Sequence, residues 1–88
     1  MKLIVAIIRD EINEPILQSL IQEDFRATRI ASTGGFLRRG LTTLMIGVED
    51  EKVDKAIQII KEQSIPTSSP SQRNATIFIL NVDQFIQV

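Results

Sequence analysis

One short stretch of the sequence combines residue types that suit the binding of an anion and of a flat ring. It is TGGFLRRG, residues 33–40, in which two adjacent glycines precede a phenylalanine and two adjacent arginines. Gly34 and Gly35 can adopt backbone angles that point successive N–H groups at one anion, because neither carries a Cβ atom. Phe36 offers an apolar face on which a base can stack. The stretch therefore suggests a phosphate site beside a stacking surface.

A structural role for the same stretch stays open at this point. The glycines would form the turn of a hairpin connection and the arginines would lie in solvent. The stretch is not a Walker A motif, because no Lys-Ser/Thr pair follows its glycines. The surrounding sequence favours an anion site, since four arginines and no acid lie between Phe25 and Leu41: Arg26, Arg29, Arg38 and Arg39.

Length and composition indicate one globular domain over residues 1–88 and exclude several chemistries. The formal net charge is -1, so no overall field favours nucleic acid or an anionic membrane. The sequence has no cysteine and no histidine, which removes disulfides, thiolate nucleophiles and the usual zinc ligands. We therefore expect no metal and no resident cofactor. The absence of cysteine fits a cytoplasmic location.

The pattern of apolar residues predicts four strands and two helices. Residues 2–8 are apolar on both parities, which is typical of a strand and too short for a membrane span. A helix follows within 12–25, and then a half-exposed, alternating strand at 25–32, which we expect at an edge of the sheet. The remaining elements are a strand at 41–48, a helix within 49–63, a Pro/Ser loop at 64–74 and a strand at 75–82. This β-α-β-β-α-β order predicts an α+β, ferredoxin-like fold, with a four-stranded antiparallel sheet and two helices on one face.

The first helix has a recognisable start and an apolar stripe. Asn13 is the predicted N-cap, and Pro15 would then fall in the first turn. The stripe consists of Ile16, Leu17, Leu20 and Ile21.

Strand parity predicts self-association. Two helices can cover only one face of a four-stranded sheet, yet the first, third and fourth strands are apolar on both faces. A soluble monomer avoids exposing such a large apolar surface. We therefore expect the open face to be buried against copies of the same chain, as a homo-oligomer.

Four stretches together resemble the PII-like receptors for cyclic di-AMP. They are MKLIVAI, DFRATRIASTGGFLRRG, TTLMIGVEDEKVDKA and ATIFILNVDQFIQV, with an interruption at 64–74. The most specific elements are F-R-A-T, T-G-G-F-L, G-V-E-D and the A-T-x-F…F-x-Q ending. The resemblance implies a homotrimer with three cyclic dinucleotide sites in clefts between neighbouring subunits, and no catalysis.

The resemblance also implies which residues would hold the phosphates. Arg26 and Thr28 share one face of the second strand and would meet a phosphate by charge and by a hydroxyl. Gly35 belongs to the glycine loop that borders the ligand. Gly47 would let the ligand approach the backbone of the third strand. A dianionic ligand needs such cations and donors at its middle.

The remaining implied residues would contact the bases. Phe36 and Leu37 would lie against an adenine. Phe78 and Gln87 would complete base stacking and an amide contact from the last strand and the tail. From the sequence pattern alone, Phe78 and Gln87 each have a second interpretation. Phe78 in TIFIL fits a core position, and Gln87 lies near a chain end, where residues are often poorly ordered.

The sequence departs from the family pattern in three places. Asp24 and Leu41 stand where the family usually has asparagine, and 64–74 replaces a long loop that is thought to signal the bound state. These departures leave an alternative function open. The chain would then be a PII-like regulator that has lost dinucleotide binding and acts through protein contacts or another small anion. A protein target, of unknown identity, is compatible with both functions.

Two other classes fit less well. A ferredoxin-like acylphosphatase would carry its arginine loop after the first strand, where this chain has the acidic RDEINEP. RNA-binding domains of this fold place aromatics on central strands of an open sheet, whereas these strands are aliphatic. We therefore expect neither an enzyme nor a protein that binds nucleic acid.

Overall fold

The computed structural model describes residues 1–30, 40–66 and 73–88. Its elements are β1 (Lys2–Arg9), α1 (Asp10–Gln22), β2 (Arg26–Ile30), β3 (Leu41–Val48), a 3₁₀ turn (Asp50–Lys52), α2 (Val53–Glu62) and β4 (Ala75–Asn81). The four strands form one sheet in the order β2-β3-β1-β4, and every neighbouring pair is antiparallel. This arrangement confirms the predicted ferredoxin-like fold, with β2 at an edge.

The core lies between the two helices and one face of the sheet. Alternate residues of β1 and β3 point to this side because successive side chains of a strand face opposite ways. The buried apolar residues of the strands and helices form one cluster: Ile4, Ala6, Ile8, Leu44, Ile46, Val48, Ile12, Ile16, Leu20, Ala56, Ile59 and Ile60, with Phe25 from the α1–β2 connection. Among the described residues, no helix is long and apolar enough to span a membrane.

The start of α1 differs from the sequence-based prediction. The helix begins at Asp10, directly after β1, and its N-cap is Arg9 rather than Asn13. Asp10 and Glu11 suit the first turn because carboxylates interact favourably with the positive end of the helix dipole. Asn13 is instead a buried helical residue, and Pro15 lies beyond the first turn. The short connection from β1 to α1, rather than the capping preference of Asn13, therefore determines where the helix begins.

The end of α1 fixes the entry into β2. Asp24 has a φ of 65°, in the left-handed region, where aspartate and asparagine are tolerated better than most residues. The Asp24 N–H donates to the Ile21 carbonyl at 3.0 Å, and the Phe25 N–H donates to the Leu20 carbonyl at 2.9 Å. These two bonds are those of a Schellman motif. Phe25 and Leu20 are both buried, so the motif also anchors the connection in the core.

Several apolar side chains of α1, of β4 and of the tail after β4 are exposed in the single chain. Ile21, predicted to lie on the buried stripe of α1, is 51% exposed. On β4 and the tail after it, the exposed large apolar side chains are Phe78, Ile79, Leu80, Phe85, Ile86 and Val88. A single chain therefore leaves a concentrated apolar surface along one edge of its sheet.

Candidate functional site

A cleft of about 910 Å³ opens at one end of the sheet. Its walls come from the start of β1, the start of β2, the end of β3 and the tail after β4. These segments meet because β2 and β1 both run antiparallel to β3, so that their first residues lie beside its last ones. Of the predicted site residues, Arg26, Thr28, Gly47 and Gln87 line this cleft.

Strand register places three of the cleft residues in one row. Arg26 pairs with Gly47 across β2 and β3, and Gly47 pairs with Leu3 across β3 and β1. Paired residues of neighbouring strands have side chains on the same face of the sheet. The Arg26 side chain and the Leu3 side chain therefore flank a position that has no side chain. This position is the floor of the cleft.

The next row carries the threonine and ends outside the cleft. Thr28 pairs with Met45, which pairs with Val5, which pairs with Phe78. Thr28 and Met45 line the cleft, whereas Phe78, three strands away from Thr28, does not. Phe78 shares the sheet face with the cleft and is 52% exposed. Within one chain, the structure thus separates Phe78 from the other candidates.

Gly47 keeps the floor of the cleft open. A Cβ atom built at this position would lie 3.4 Å from the Met1 Cε atom and would meet no nearer heavy atom. That distance is at the short limit of an ordinary contact, so alanine fits but a larger side chain would project into the cleft. The glycine is therefore explained by space for a ligand or for the Met1 side chain, rather than by an unusual φ.

The two arginines of β2 have different environments. Arg29 pairs with Glu14 at 3.1 Å on the helix side of the sheet. The Arg26 side chain lies on the opposite face, is exposed, and makes no ion pair or hydrogen bond with any residue in the described ranges. An unpaired guanidinium at a cleft is available to bind a phosphate or carboxylate through two parallel hydrogen bonds.

Further charges surround Arg26. Lys52 lines the cleft as a second cation, and Asp24 and Glu49 line it as carboxylates. Lys2 also borders the cleft, but its side chain has the strand parity of the core-facing residues, and its Nζ donates to the Asn81 side chain of β4. The cleft thus has two cationic side chains, Arg26 and Lys52, against two acidic ones. A bound anion would therefore depend on its distance from Arg26 rather than on an excess of positive charge.

The tail after β4 forms one side of the cleft. The Val82 N–H donates to the Met1 carbonyl at 3.2 Å, which holds the beginning of the tail beside the start of β1. Phe85 and Gln87 line the cleft farther along. Phe85 is 58% exposed, so its ring is available for stacking.

The start of the chain is fixed near the cleft by an ion pair. The Met1 ammonium lies 3.0 Å from Asp50 Oδ1. A hydrogen bond from this ammonium is the main reason that the pKa of Asp50 is lowered from its usual value. Asp50 lies in the 3₁₀ turn that also carries Lys52. The pair therefore connects the Met1 wall of the cleft to the Lys52 wall.

Three predicted site residues, Gly35, Phe36 and Leu37, lie outside the described residues. Of the TGGFLRRG stretch, only Gly40 belongs to the described residues. Its φ of 86° lies in the left-handed region, which glycine adopts readily. Leu41, which stands where the family pattern has asparagine, pairs with Arg9. It lies six residues from Gly47 along β3, or about 20 Å at roughly 3.3 Å per residue. Leu41 is therefore remote from the cleft of its own chain.

Sequence reasoning missed several residues of the cleft. Met45 has the same strand parity as Gly47, and that parity would have identified it. Phe85 belongs to the F-x-Q ending that carried part of the resemblance, although only its glutamine was assigned a role. Lys52 and Met1 had no comparable signal, because they reach the cleft through the 3₁₀ turn and through the chain start.

The described parts of the chain contain no group of three or more acidic side chains that could hold a metal ion.

Two comparisons with known proteins bear on the site. Residues 1–70 match a family model described as a cyclic-di-AMP receptor. The chain is also similar to a protein of unknown function from Pediococcus pentosaceus ATCC 25745 whose crystal structure is known, with 37% identity and a TM-score of 0.78. That match covers 99% of this chain and 96% of the other, so the two are nearly equal in length.

Proposed function

Because the chain belongs to the cyclic-di-AMP receptor family, we propose that it is a non-enzymatic signal receptor that binds cyclic di-AMP or a related nucleotide in clefts between the subunits of a homotrimer. The observation that carries the proposal is the position of Arg26. Its unpaired guanidinium lines a cleft directly opposite Gly47, where no side chain blocks the approach of a ligand. The absence of cysteine fits a cytoplasmic receptor.

The size and walls of the cleft suit such a ligand. A volume of about 910 Å³ is near the upper end of the usual range for small-molecule sites, roughly 300–1,000 Å³. A cyclic dinucleotide has two phosphates at its centre and a flat base at each end. Arg26 and Thr28 offer a cation and a hydroxyl donor for the phosphates, and Phe85 offers an aromatic face for a base.

Magnitudes favour anion binding despite the two acids. At an effective dielectric constant of about 20, a cation ~4 Å from a phosphate attracts it by about 4 kcal/mol, while a carboxylate at ~6 Å repels it by about 3 kcal/mol. Arg26 adds two directional hydrogen bonds that the repulsion does not oppose. For Arg26 and Lys52 against Asp24 and Glu49, two such attractions exceed two such repulsions.

The exposed apolar surface supports the assembly. Phe78, Ile79 and Leu80 are each about half exposed in the single chain, and Phe85 and Ile86 more so. An apolar patch of this kind marks an interaction surface in a soluble protein. The proposed number of subunits, three, comes from the resemblance to the PII-like receptors rather than from the patch.

The positions of the candidates also favour a shared site. Arg26 and Gly47 lie at one end of β2 and β3. Ile30 and Gly40, between which residues 31–39 connect the two strands, lie at the other end. Phe78 lies on the far edge strand. A neighbouring subunit would bring such separated residues to one ligand.

Calorimetric titration tests the proposal. The protein is titrated with cyclic di-AMP and cyclic di-GMP, and separately with ATP and 2-oxoglutarate as small anions that lack a cyclic dinucleotide backbone. Saturable binding of a cyclic dinucleotide at one ligand per chain supports the receptor function. Binding of ATP alone would reduce the proposal to a mononucleotide receptor, and binding of 2-oxoglutarate alone would contradict it.

The second candidate function is a PII-like regulator without a dinucleotide ligand. Asp24 and Glu49 favour it, because each places a carboxylate in the wall of the cleft. This function predicts no heat with any cyclic dinucleotide while the oligomer stays intact. Action on a protein target, which both functions allow, would then depend on the apolar and charged outer surfaces.

A further inference from the structure

We propose that Lys52 attracts the second phosphate of the bound dinucleotide and gives the cleft its preference for two phosphates over one. The inference rests on the proposed function, and it deepens that function by naming a residue that distinguishes a cyclic dinucleotide from a ligand with a single phosphate. Arg26 then holds one phosphate and Lys52 attracts the other.

The need for a second cation follows from the geometry of the first. The Arg26 guanidinium forms two parallel hydrogen bonds with two oxygens of the same phosphate group. The other phosphate of a cyclic dinucleotide would then lie in a cleft whose walls include the carboxylates of Asp24 and Glu49. Without a cation of its own, that phosphate would be repelled by both carboxylates. A ligand with two phosphates therefore requires a second positive charge in the cleft.

Lys52 is the cation that the cleft has available for this purpose. Among the described residues that line the cleft, the cationic side chains are those of Arg26, Lys2 and Lys52. Lys2 has the strand parity of the core-facing residues, and its Nζ donates to Asn81. Lys52 forms no ion pair and no side-chain hydrogen bond with any part of the chain that the structure describes. Its charge is therefore free to interact with a ligand.

The backbone that carries Lys52 is held at the cleft by two contacts. The Lys52 N–H donates to the Glu49 carbonyl at 2.9 Å, which closes the 3₁₀ turn. Asp50 of the same turn lies 3.0 Å from the Met1 ammonium, which ties the turn to the start of β1. Arg26 belongs to β2, and β2 and β1 lie on opposite sides of β3. The turn and Arg26 therefore border the floor of the cleft from different sides.

A lysine can fill this role without a fixed side-chain geometry. Its ammonium group is a compact charge on a flexible stem, and it attracts a phosphate as a point charge rather than by a bidentate fit. Because Lys52 is exposed, water screens the attraction, which is then worth up to about fivefold in affinity. Arg26 forms the stronger contact, since it adds two directional hydrogen bonds. A ligand with one phosphate therefore places that phosphate at Arg26 and gains little from Lys52.

The test compares cyclic di-AMP with the linear dinucleotide ApA, which has the same two adenines but only one phosphate. Calorimetric titration measures the affinities for both ligands in the wild type, in Lys52→Gln and in Lys55→Gln. Lys55→Gln is the matched control, because it removes the same charge from a neighbouring side chain that pairs with Glu23 and does not line the cleft. A loss of affinity caused by general charge would appear in both variants.

We expect Lys52→Gln to bind cyclic di-AMP about threefold to fivefold more weakly than the wild type, while its affinity for ApA changes less than about twofold. Lys55→Gln should bind both ligands as the wild type does. The affinity of Lys52→Gln for cyclic di-AMP should also fall less steeply with added salt, because one screened contact has been removed. The salt dependence decides the question if ApA binds too weakly to be titrated.

Three results would overturn the role of Lys52 while the receptor function stands. They are equal losses for cyclic di-AMP and ApA in Lys52→Gln, an unchanged affinity of this variant for cyclic di-AMP, and an unchanged salt dependence. Failure of the wild type to bind cyclic di-AMP would overturn both the inference and cyclic di-AMP as the ligand.

Discussion

Gly47 of β3 lies directly opposite Arg26 of β2, and both residues line the same cleft. The pairing places a guanidinium that has no partner among the described residues beside a gap in the sheet surface. A ligand that binds to the cation can therefore lie against the backbone of a central strand. Each half of this arrangement can be tested separately.

Filling the gap should block the ligand without damaging the fold. In Gly47→Val, the added side chain occupies the floor of the cleft, while valine is well suited to a strand. We expect dinucleotide affinity to fall at least about tenfold, with Tm unchanged or raised. Gly47→Ala is the matched control, because its Cβ atom would meet Met1 Cε at 3.4 Å and extend no farther. Calorimetry and thermal unfolding measure the two effects, and unchanged binding by Gly47→Val would contradict the proposed floor.

Removing the cation should abolish binding and leave stability unchanged. Arg26→Ala eliminates charge-assisted hydrogen bonds worth roughly 1.5–3 kcal/mol each, so affinity should fall about a hundredfold or more. Arg29→Ala is the control on the same strand, since Arg29 faces the helix side and pairs with Glu14. We expect Arg29→Ala to bind dinucleotide as the wild type does. Equal losses in the two variants would show that general charge, rather than the cleft, attracts the ligand.

The left-handed position of Asp24 predicts opposite effects for two small changes. Asp24→Asn keeps a residue that tolerates this φ and removes a negative charge from the C-terminus of α1, which should stabilise the fold by about 0.3–1 kcal/mol. Asp24→Ala removes the same charge but places a Cβ atom without a polar group in the left-handed region, at a cost of about 1–2 kcal/mol. Chemical denaturation measures both free energies of unfolding. A stability of Asp24→Ala equal to that of Asp24→Asn would contradict the Schellman assignment.

The pair formed by Glu23 and Lys55 predicts a pH-dependent difference in stability. The two side chains lie 2.8 Å apart and link the end of α1 to α2. A hydrogen bond from Lys55, followed by its charge, lowers the pKa of Glu23 from the usual 4.5. Because the pKa is lowered by folding, the stabilisation is complete above the usual value and is lost as the pH falls through the lowered one.

Glu23→Gln should therefore lower Tm at neutral pH, and the difference from the wild type should vanish in acid. The effect should be small, since both side chains are about half exposed. Lys55→Gln should reproduce it, and the double variant should add nothing further. A difference in Tm that persists below the lowered pKa would exclude the ion pair as its cause.

The exposed apolar surface predicts that a charge on β4 dissociates the assembly. In Phe78→Asp, a carboxylate replaces a ring that is 52% exposed on the open face of the sheet. Burying that charge between subunits costs several kcal/mol, so sedimentation should show a single chain in place of three. Gln58→Asp, an equivalent charge change at an exposed position of α2, should keep the assembly. An unchanged mass for Phe78→Asp would place the interface elsewhere.

The fold was largely predictable from strand patterning. The apolar residues at 41–48 are bounded by Gly40 and by the acidic run at 49–51, and β3 has the same limits. Asn13 was assigned wrongly as an N-cap, because capping preference is local whereas the start of α1 is set by the end of β1. Strand parity predicted apolar side chains on the open face of β4, where Phe78 and Leu80 lie, but it did not predict that Ile79 on the helix side is 45% exposed.

The site was predictable only in part. Arg26, Thr28 and Gly47 share a face because of strand parity and register, and they line one cleft of the single chain. The left-handed conformation of Asp24 was not predicted, since it depends on where α1 ends. The roles of all the predicted site residues as ligand contacts stay predictions.

Native mass spectrometry with cyclic di-AMP tests the receptor most directly, because it counts chains and ligands in one particle. The expected particle contains three chains and up to three bound dinucleotides, and its ligands disappear in Arg26→Ala while the three chains remain together. A particle of one chain, or one of three chains that never retains a dinucleotide, would contradict a nucleotide site formed between subunits.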